Sequence, residues 1–285
     1  MCDETDFVAM KKRGLNRRQF GAVGAMAMLS ACVAVGPDEA GLTETATTIP
    51  TPDGAMDAVF IRPATGSHPG VIFWPDGLGS RDAIKMMARR LAASGYAVLV
   101  PNPFYRASPA PQFVDYAAFQ NGDGMQKIGA WREPLTADAM MRDARLLVNW
   151  LDGQEAVDRS RGIGTQGYCM GGGFAVWTAA AAPSRVKAVA SFHGGGLVSD
   201  EPTAPIYMLD DTEAAFLIAI ARNDDARYPD EKDKLRAAAQ AAGVPVEIEV
   251  YDGDHGWTVL DFPIYVEAEA ERAWERLQAL YDGAL

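Results

Sequence analysis

Gly162-Ile163-Gly164-Thr165-Gln166-Gly167-Tyr168-Cys169-Met170-Gly171-Gly172-Gly173 decides how the rest of this chain is read. The stretch opens as a short β-like run and closes in Gly-x-Cys-x-Gly-Gly. Phe174-Ala175-Val176-Trp177-Thr178-Ala179-Ala180 then continues as a helix former. A strand, a sharp glycine-flanked turn and a helix make a nucleophile elbow, whose central side chain is held in a strained backbone position at the carboxyl end of a parallel strand. Glycines two residues to either side leave space where a Cβ would meet the neighbouring strand or the incoming helix. The helix points the partial positive charge of its amino end at the central side chain and at any anion formed beside it. Here that side chain is the thiol of Cys169. A cysteine in a glycine-rich turn also reads as a small buried hydrophobe, and the flanking sequence separates the two readings.

Outward from the elbow, the chain alternates strand and helix. Thr45–Ile49 and Ala55–Arg62, joined by Pro50-Thr51-Pro52-Asp53-Gly54, predict an opening hairpin. Val71–Trp74 and Tyr96–Val100 are short, wholly apolar strands of the kind covered on both faces in a parallel sheet. Helices are expected over Arg81–Ala93 and Thr136–Leu151, the second with Thr136 as its cap. The stretch between Pro101 and Pro134 is irregular. After the elbow come strands Val186–Phe192, Ala215–Ala221 and Val246–Tyr251, a helix over Pro229–Ala242 and a terminal helix over Tyr265–Leu280. This order predicts an α/β fold with a doubly wound, mostly parallel sheet and an N-terminal hairpin, and ligands at the carboxyl ends of its strands.

Two further strand ends carry reactive groups. Ala221-Arg222-Asn223-Asp224-Asp225 ends one strand, and Gly253-Asp254-His255-Gly256-Trp257 follows the next. A thiol needs a base within hydrogen-bond reach, and the base needs an acid to fix its tautomer. Cys169, Asp224 and His255 stand in the chain order nucleophile, acid, histidine, the order of the α/β-hydrolase triad. Asp225 competes with Asp224 for the acid position. The backbone N–H groups of Met170 and Gly77 are the expected oxyanion donors. His193-Gly194-Gly195-Gly196 imitates an oxyanion motif, but it follows the strand after the elbow. Its glycines read as pocket wall, with His193 facing the pocket. His68 reads as a loop residue, and no histidine is spaced for a metal site.

These pieces resemble the dienelactone hydrolase (carboxymethylenebutenolidase) family of the α/β-hydrolase superfamily from the hairpin to the carboxyl terminus. The resemblance rests on Gly167-Tyr168-Cys169-Met170-Gly171-Gly172, Asn223-Asp224, Asp254-His255-Gly256, Ser191–Leu197 and Ala270-Glu271-Arg272-Ala273-Trp274. It implies a hydrolase that opens a lactone or ester through an acyl-cysteine, without a cofactor or metal. It also implies that Asp76, where the family commonly has glutamate, modulates the thiol. The family holds a substrate carboxylate with arginines, one of them four residues beyond the histidine. That position is Val259 here, which leaves Arg106 and Arg132 as candidate substrate cations, with His193 and Trp257 as further substrate contacts. A broad carboxylesterase or thioesterase on the same site, and a non-catalytic exported binding lipoprotein, are the alternatives.

The amino terminus adds an address. Lys11-Lys12-Arg13, Arg17-Arg18-Gln19-Phe20 and a short apolar run predict a twin-arginine signal over 1–31. Leu29-Ser30-Ala31-Cys32 resembles a lipobox, with Cys32 as the lipidation site, a tether over 32–44 and the hydrolase-type domain over 45–285. The expected location is exported, periplasmic and membrane-anchored through that lipid alone. Of the three cysteines, Cys2 lies in the signal, so Cys169 has no disulfide partner in the mature chain. A net charge of −12 argues against nucleic acid as a partner; the partner that the resemblance implies is a small ester or lactone.

Overall fold

The computed structural model describes residues 41–285. The signal over 1–31 and the lipidation site Cys32 lie outside the described residues. The expected tether ends earlier than 44, because strand β1 (Leu42–Thr51) already begins at Leu42, whose side chain is buried. It pairs antiparallel with β2 (Gly54–Pro63) through a tight turn at Pro52-Asp53.

Short apolar runs then build the centre of the sheet. β3 (Gly70–Trp74), β4 (Ala97–Pro101) and β5 (Ile163–Tyr168) are buried at every residue, as parallel strands covered on both faces must be. β6 (Val186–Phe192), β7 (Ala215–Ala221) and β8 (Val246–Tyr251) complete one eight-stranded sheet in the order β1-β2-β4-β3-β5-β6-β7-β8. All pairs from β4 to β8 are parallel, and β2 joins β4 antiparallel. The chain winds outward from β3 to β4 and then returns to β5 on the other side. The switch point between β3 and β5 is where a doubly wound sheet opens a crevice.

Helix α1 (Asp82–Ala93) follows β3. The segment expected to be irregular contains two short helices, α2 (Tyr116–Asn121) and α3 (Gly124–Arg132). α4 (Ala137–Asp152) is capped by Thr136, whose Oγ1 accepts the Ala139 N–H at 3.3 Å. α5 (Met170–Ala181) follows the elbow. α6 (Arg222–Arg227), which sequence periodicity did not show, continues directly from β7. α7 (Glu231–Ala242) and the terminal α8 (Glu267–Ala284) flank the edge strand β8. On β8, Glu247 and Glu249 pair with Arg276 and Arg272 of α8, so charge and helix cover the open edge.

Candidate active site

The elbow takes its shape from close packing. A Cβ on Gly167 would lie 1.8 Å from the Gly171 carbonyl oxygen, and one on Gly171 would lie 2.6 Å from the carbonyl of Pro75. Only glycine lets β5, the start of α5 and the loop after β3 approach so closely. Cys169 between them has φ +54° and ψ −120°, a left-handed backbone that an L-residue holds at a cost of about 1–3 kcal/mol. Its N–H donates to the Phe192 carbonyl at 3.1 Å, and the residue is buried.

The ends of β7 and β8 are laced together beside it. The Arg222 guanidinium bridges Asp252 at 2.7 Å and Asp254 at 2.8 Å. Asn223 Oδ1 accepts the His255 N–H at 2.7 Å. With that loop fixed, Asp224 Oδ2 lies 2.7 Å from His255 Nδ1. Asp225 turns to Lys232 instead, at 2.5 Å, so Asp224 is the carboxylate at the histidine.

The imidazole of His255 is buried, and burial is the strongest influence on it, opposing the positive charge. The charge of the Cys169 sulfur and the hydrogen bonds the ring makes to Asp224 and Cys169 outweigh that and push its pKa up to about 10. Since Nδ1 is engaged by Asp224, the thiol meets Nε2. The arrangement therefore sets a titratable ring between the thiol and a carboxylate that fixes its tautomer.

Met170 is the first residue of α5, so its N–H has no acceptor within the helix. Gly77 lies in the loop after β3, across the switch point. Among the described residues neither amide donates to a protein acceptor, and both residues are buried. Buried N–H groups without an acceptor are what an oxyanion needs, and that of Met170 is adjacent to Cys169 in the chain.

The other expected site residues are placed less uniformly. Arg132 lines a cleft of about 480 Å³ together with Met170, Phe174, Trp177 and Gly195. Arg106 does not offer a cation to substrate: its guanidinium is held by Asp143 at 2.8 Å and Asp53 at 2.7 Å. Trp257 is fully buried, stacked 5.3 Å from Tyr251, and is core rather than cleft wall. Val259 is also fully buried, so that position faces packed side chains. His193 is buried behind the elbow rather than turned into an open pocket: its Nδ1 accepts the Cys169 N–H at 3.2 Å.

Asp76, expected at the thiol, has its oxygens engaged elsewhere. Oδ1 accepts the Leu78 N–H at 2.7 Å and Arg81 Nη1 at 2.9 Å, and Oδ2 accepts Arg81 Nη2 at 3.0 Å. Arg81 reaches on to Asp261, with both contacts at 2.7 Å. Burial raises the Asp76 carboxyl pKa against the opposite pull of Arg81. This fully buried arginine, tying the loop after β3 to the loop after His255, was not found from sequence. Its faint signal is an acid five residues before an arginine at a helix start.

Comparisons with known proteins give the family and the fold. A chain of Escherichia coli strain K12 carrying the carboxymethylenebutenolidase name is 26% identical over 266 residues, covering 91% of this chain and 94% of its own. The carboxymethylenebutenolidase of Rhodococcus opacus is 27% identical over 191 residues, covering 66% of this chain and 69% of its own. A crystal structure titled as a dienelactone hydrolase of Klebsiella pneumoniae superposes with a TM-score of 0.70 at 23% identity, covering 85% of this chain and 98% of that one. That structural likeness shows the α/β-hydrolase fold. The profile described as "Dienelactone hydrolase family" matches residues 56–284, and the chain belongs to that family.

Proposed function

We propose that the protein hydrolyses a small ester or lactone through an acyl-cysteine on Cys169. The observation that carries this reading is one buried imidazole, His255, with a carboxylate on Nδ1 and a thiol on the other side. In the resting pair the proton sits on His255 and the sulfur is a thiolate. The thiolate attacks the carbonyl carbon, and the oxyanion is received by the Met170 and Gly77 N–H groups. Collapse breaks the bond to the alkoxide oxygen, which takes the Nε2 proton, and a thioester remains.

The second half follows from the same electrostatics. Once acylated, the sulfur is neutral, and its charge no longer supports the imidazolium. Burial, the largest influence on His255, then faces Asp224 alone, and the ring is free to act as a neutral base. It takes a proton from water, the resulting hydroxide attacks the thioester, and the thiolate leaves with the proton kept on His255. The acid product departs and the resting pair is restored.

The cleft beside Met170 is lined by Phe174 and Trp177, its Arg132 stands next to the carboxylate of Glu133 in the chain, and Arg106 is committed to two carboxylates. Neutral esters and lactones should therefore compete well with substrates bearing a free carboxylate. A screen of small lactones and p-nitrophenyl esters, with and without such a carboxylate, tests this. Turnover lost in Cys169→Ala supports the reading, and turnover retained in that variant overturns it. We also infer, from Arg17-Arg18 and the Leu29–Cys32 run, that the enzyme is exported and lipid-anchored.

A further inference from the structure

His193 follows β6 with φ +40°, a backbone uncommon for a residue with a Cβ, and its side chain is turned back beneath the elbow. Its ring touches three parts of the site at once. Nδ1 accepts the N–H of Cys169 at 3.2 Å, sharing it with the Phe192 carbonyl at 3.1 Å. Nε2 lies 3.0 Å from the hydroxyl of Thr258, three residues beyond His255. The ring itself packs edge-on against the His255 imidazole, with centroids 4.9 Å apart.

These contacts define the state of the ring. A backbone N–H can only donate, so Nδ1 carries a lone pair and the single ring proton resides on Nε2, donated to Thr258. The titratable groups around it are Cys169 and His255, with the Tyr168 ring 6.1 Å away. Burial, and then the neighbouring His255, disfavour a second positive charge here and hold His193 far below the ordinary histidine range.

We propose that His193 is a positioning residue, a neutral strut that sets the separation between the thiol-bearing turn and the loop bearing His255. The proposal rests on the cysteine-nucleophile reading. A strut that grips the nucleophile's own amide and the base's own loop keeps sulfur and Nε2 in register. Its neutrality leaves the only imidazolium of the pair on His255.

Three variants of the full chain test it: His193→Phe, which keeps ring packing without polar atoms, His193→Asn, whose carbonyl oxygen replaces Nδ1 as acceptor for Cys169, and His193→Gln, which reaches toward Thr258. The readouts are iodoacetamide alkylation of Cys169 against pH and kcat/KM for a small ester. His193→Phe should slow alkylation at neutral pH and lower kcat/KM by about tenfold to a hundredfold, as misplacement by a fraction of an ångström does, with KM little changed. His193→Asn should recover most of that loss and His193→Gln less. Equal alkylation profiles in wild type and His193→Phe would overturn the proposal. If His193→Phe does not fold, equal rates in the Asn and Gln variants would overturn it instead. Alkylation needs no substrate, so a failure here is distinct from a failure of the hydrolase reading, which would appear as activity in Cys169→Ala.

Discussion

Replacing Asp224 by asparagine probes the electrostatics of the site in one step. The carboxylate lies 2.7 Å from His255 Nδ1 and supports the imidazolium by a charge-assisted hydrogen bond. Such a bond to a charged group is worth about 1.5–3 kcal/mol, and one pH unit corresponds to about 1.36 kcal/mol. The wild-type imidazolium, raised to about 10, is present below that pH and lost as pH rises through it. In Asp224→Asn the loss should come about one to two pH units earlier. The assay is kcat/KM against pH for an alkyl ester, whose alkoxide needs the Nε2 proton in order to leave. The alkaline limb should move down, and the plateau should also fall, by as much as about 10⁴ if the asparagine amide holds the wrong tautomer. An alkaline limb left in place would show that Asp224 does not support the imidazolium, and the account of the resting ion pair would fail.

Gly167→Ala should destabilise the protein by more than about 4 kcal/mol in urea unfolding, because its Cβ would lie 1.8 Å from the Gly171 carbonyl oxygen. Gly173→Ala in the same region should stay within about 1 kcal/mol of wild type, since its Cβ meets only Pro205 at 3.5 Å; similar losses in both would refute the packing argument. Arg81→Met leaves Asp76 buried without its cation and should cost about 3–5 kcal/mol, with partial recovery in Asp76→Leu/Arg81→Met. A loss under about 1 kcal/mol would mean that this buried network is not needed for stability. Cys32→Ala should release the protein from membranes or stall its processing, and unchanged membrane fractionation would remove the lipid anchor.

The readable parts of the sequence were those whose cause is local. Gly167, Gly171 and Cys169 announced the elbow because a tight strand-to-helix turn admits few residues. Val186–Phe192, Ala215–Ala221 and Val246–Tyr251 match their strands end to end, being apolar or alternating runs bounded by polar turns. The helices at Tyr116–Asn121 and Gly124–Arg132 escaped because each is only about two turns long, and the second is interrupted by Gly129. What was misread depends on partners distant in the chain. Arg106 is neutralised by Asp53 and Asp143, 53 and 37 residues away, and no local pattern announces either pairing. Trp257 beside a histidine invites a cleft reading, yet Tyr251 and His193 enclose it. Arg81 joins carboxylates 5 and 180 residues away, and only the fold brings the second to it.

The covalent step is the centre of the mechanism, and intact-protein mass spectrometry reads it directly. Enzyme mixed with an activated ester and quenched in acid within the first turnover should gain the mass of one acyl group. Peptide mapping should place that group on Cys169, hydroxylamine should remove it, and Cys169→Ala should gain none. Hydrolysis proceeding at the wild-type rate with no acyl group on Cys169 would contradict the account.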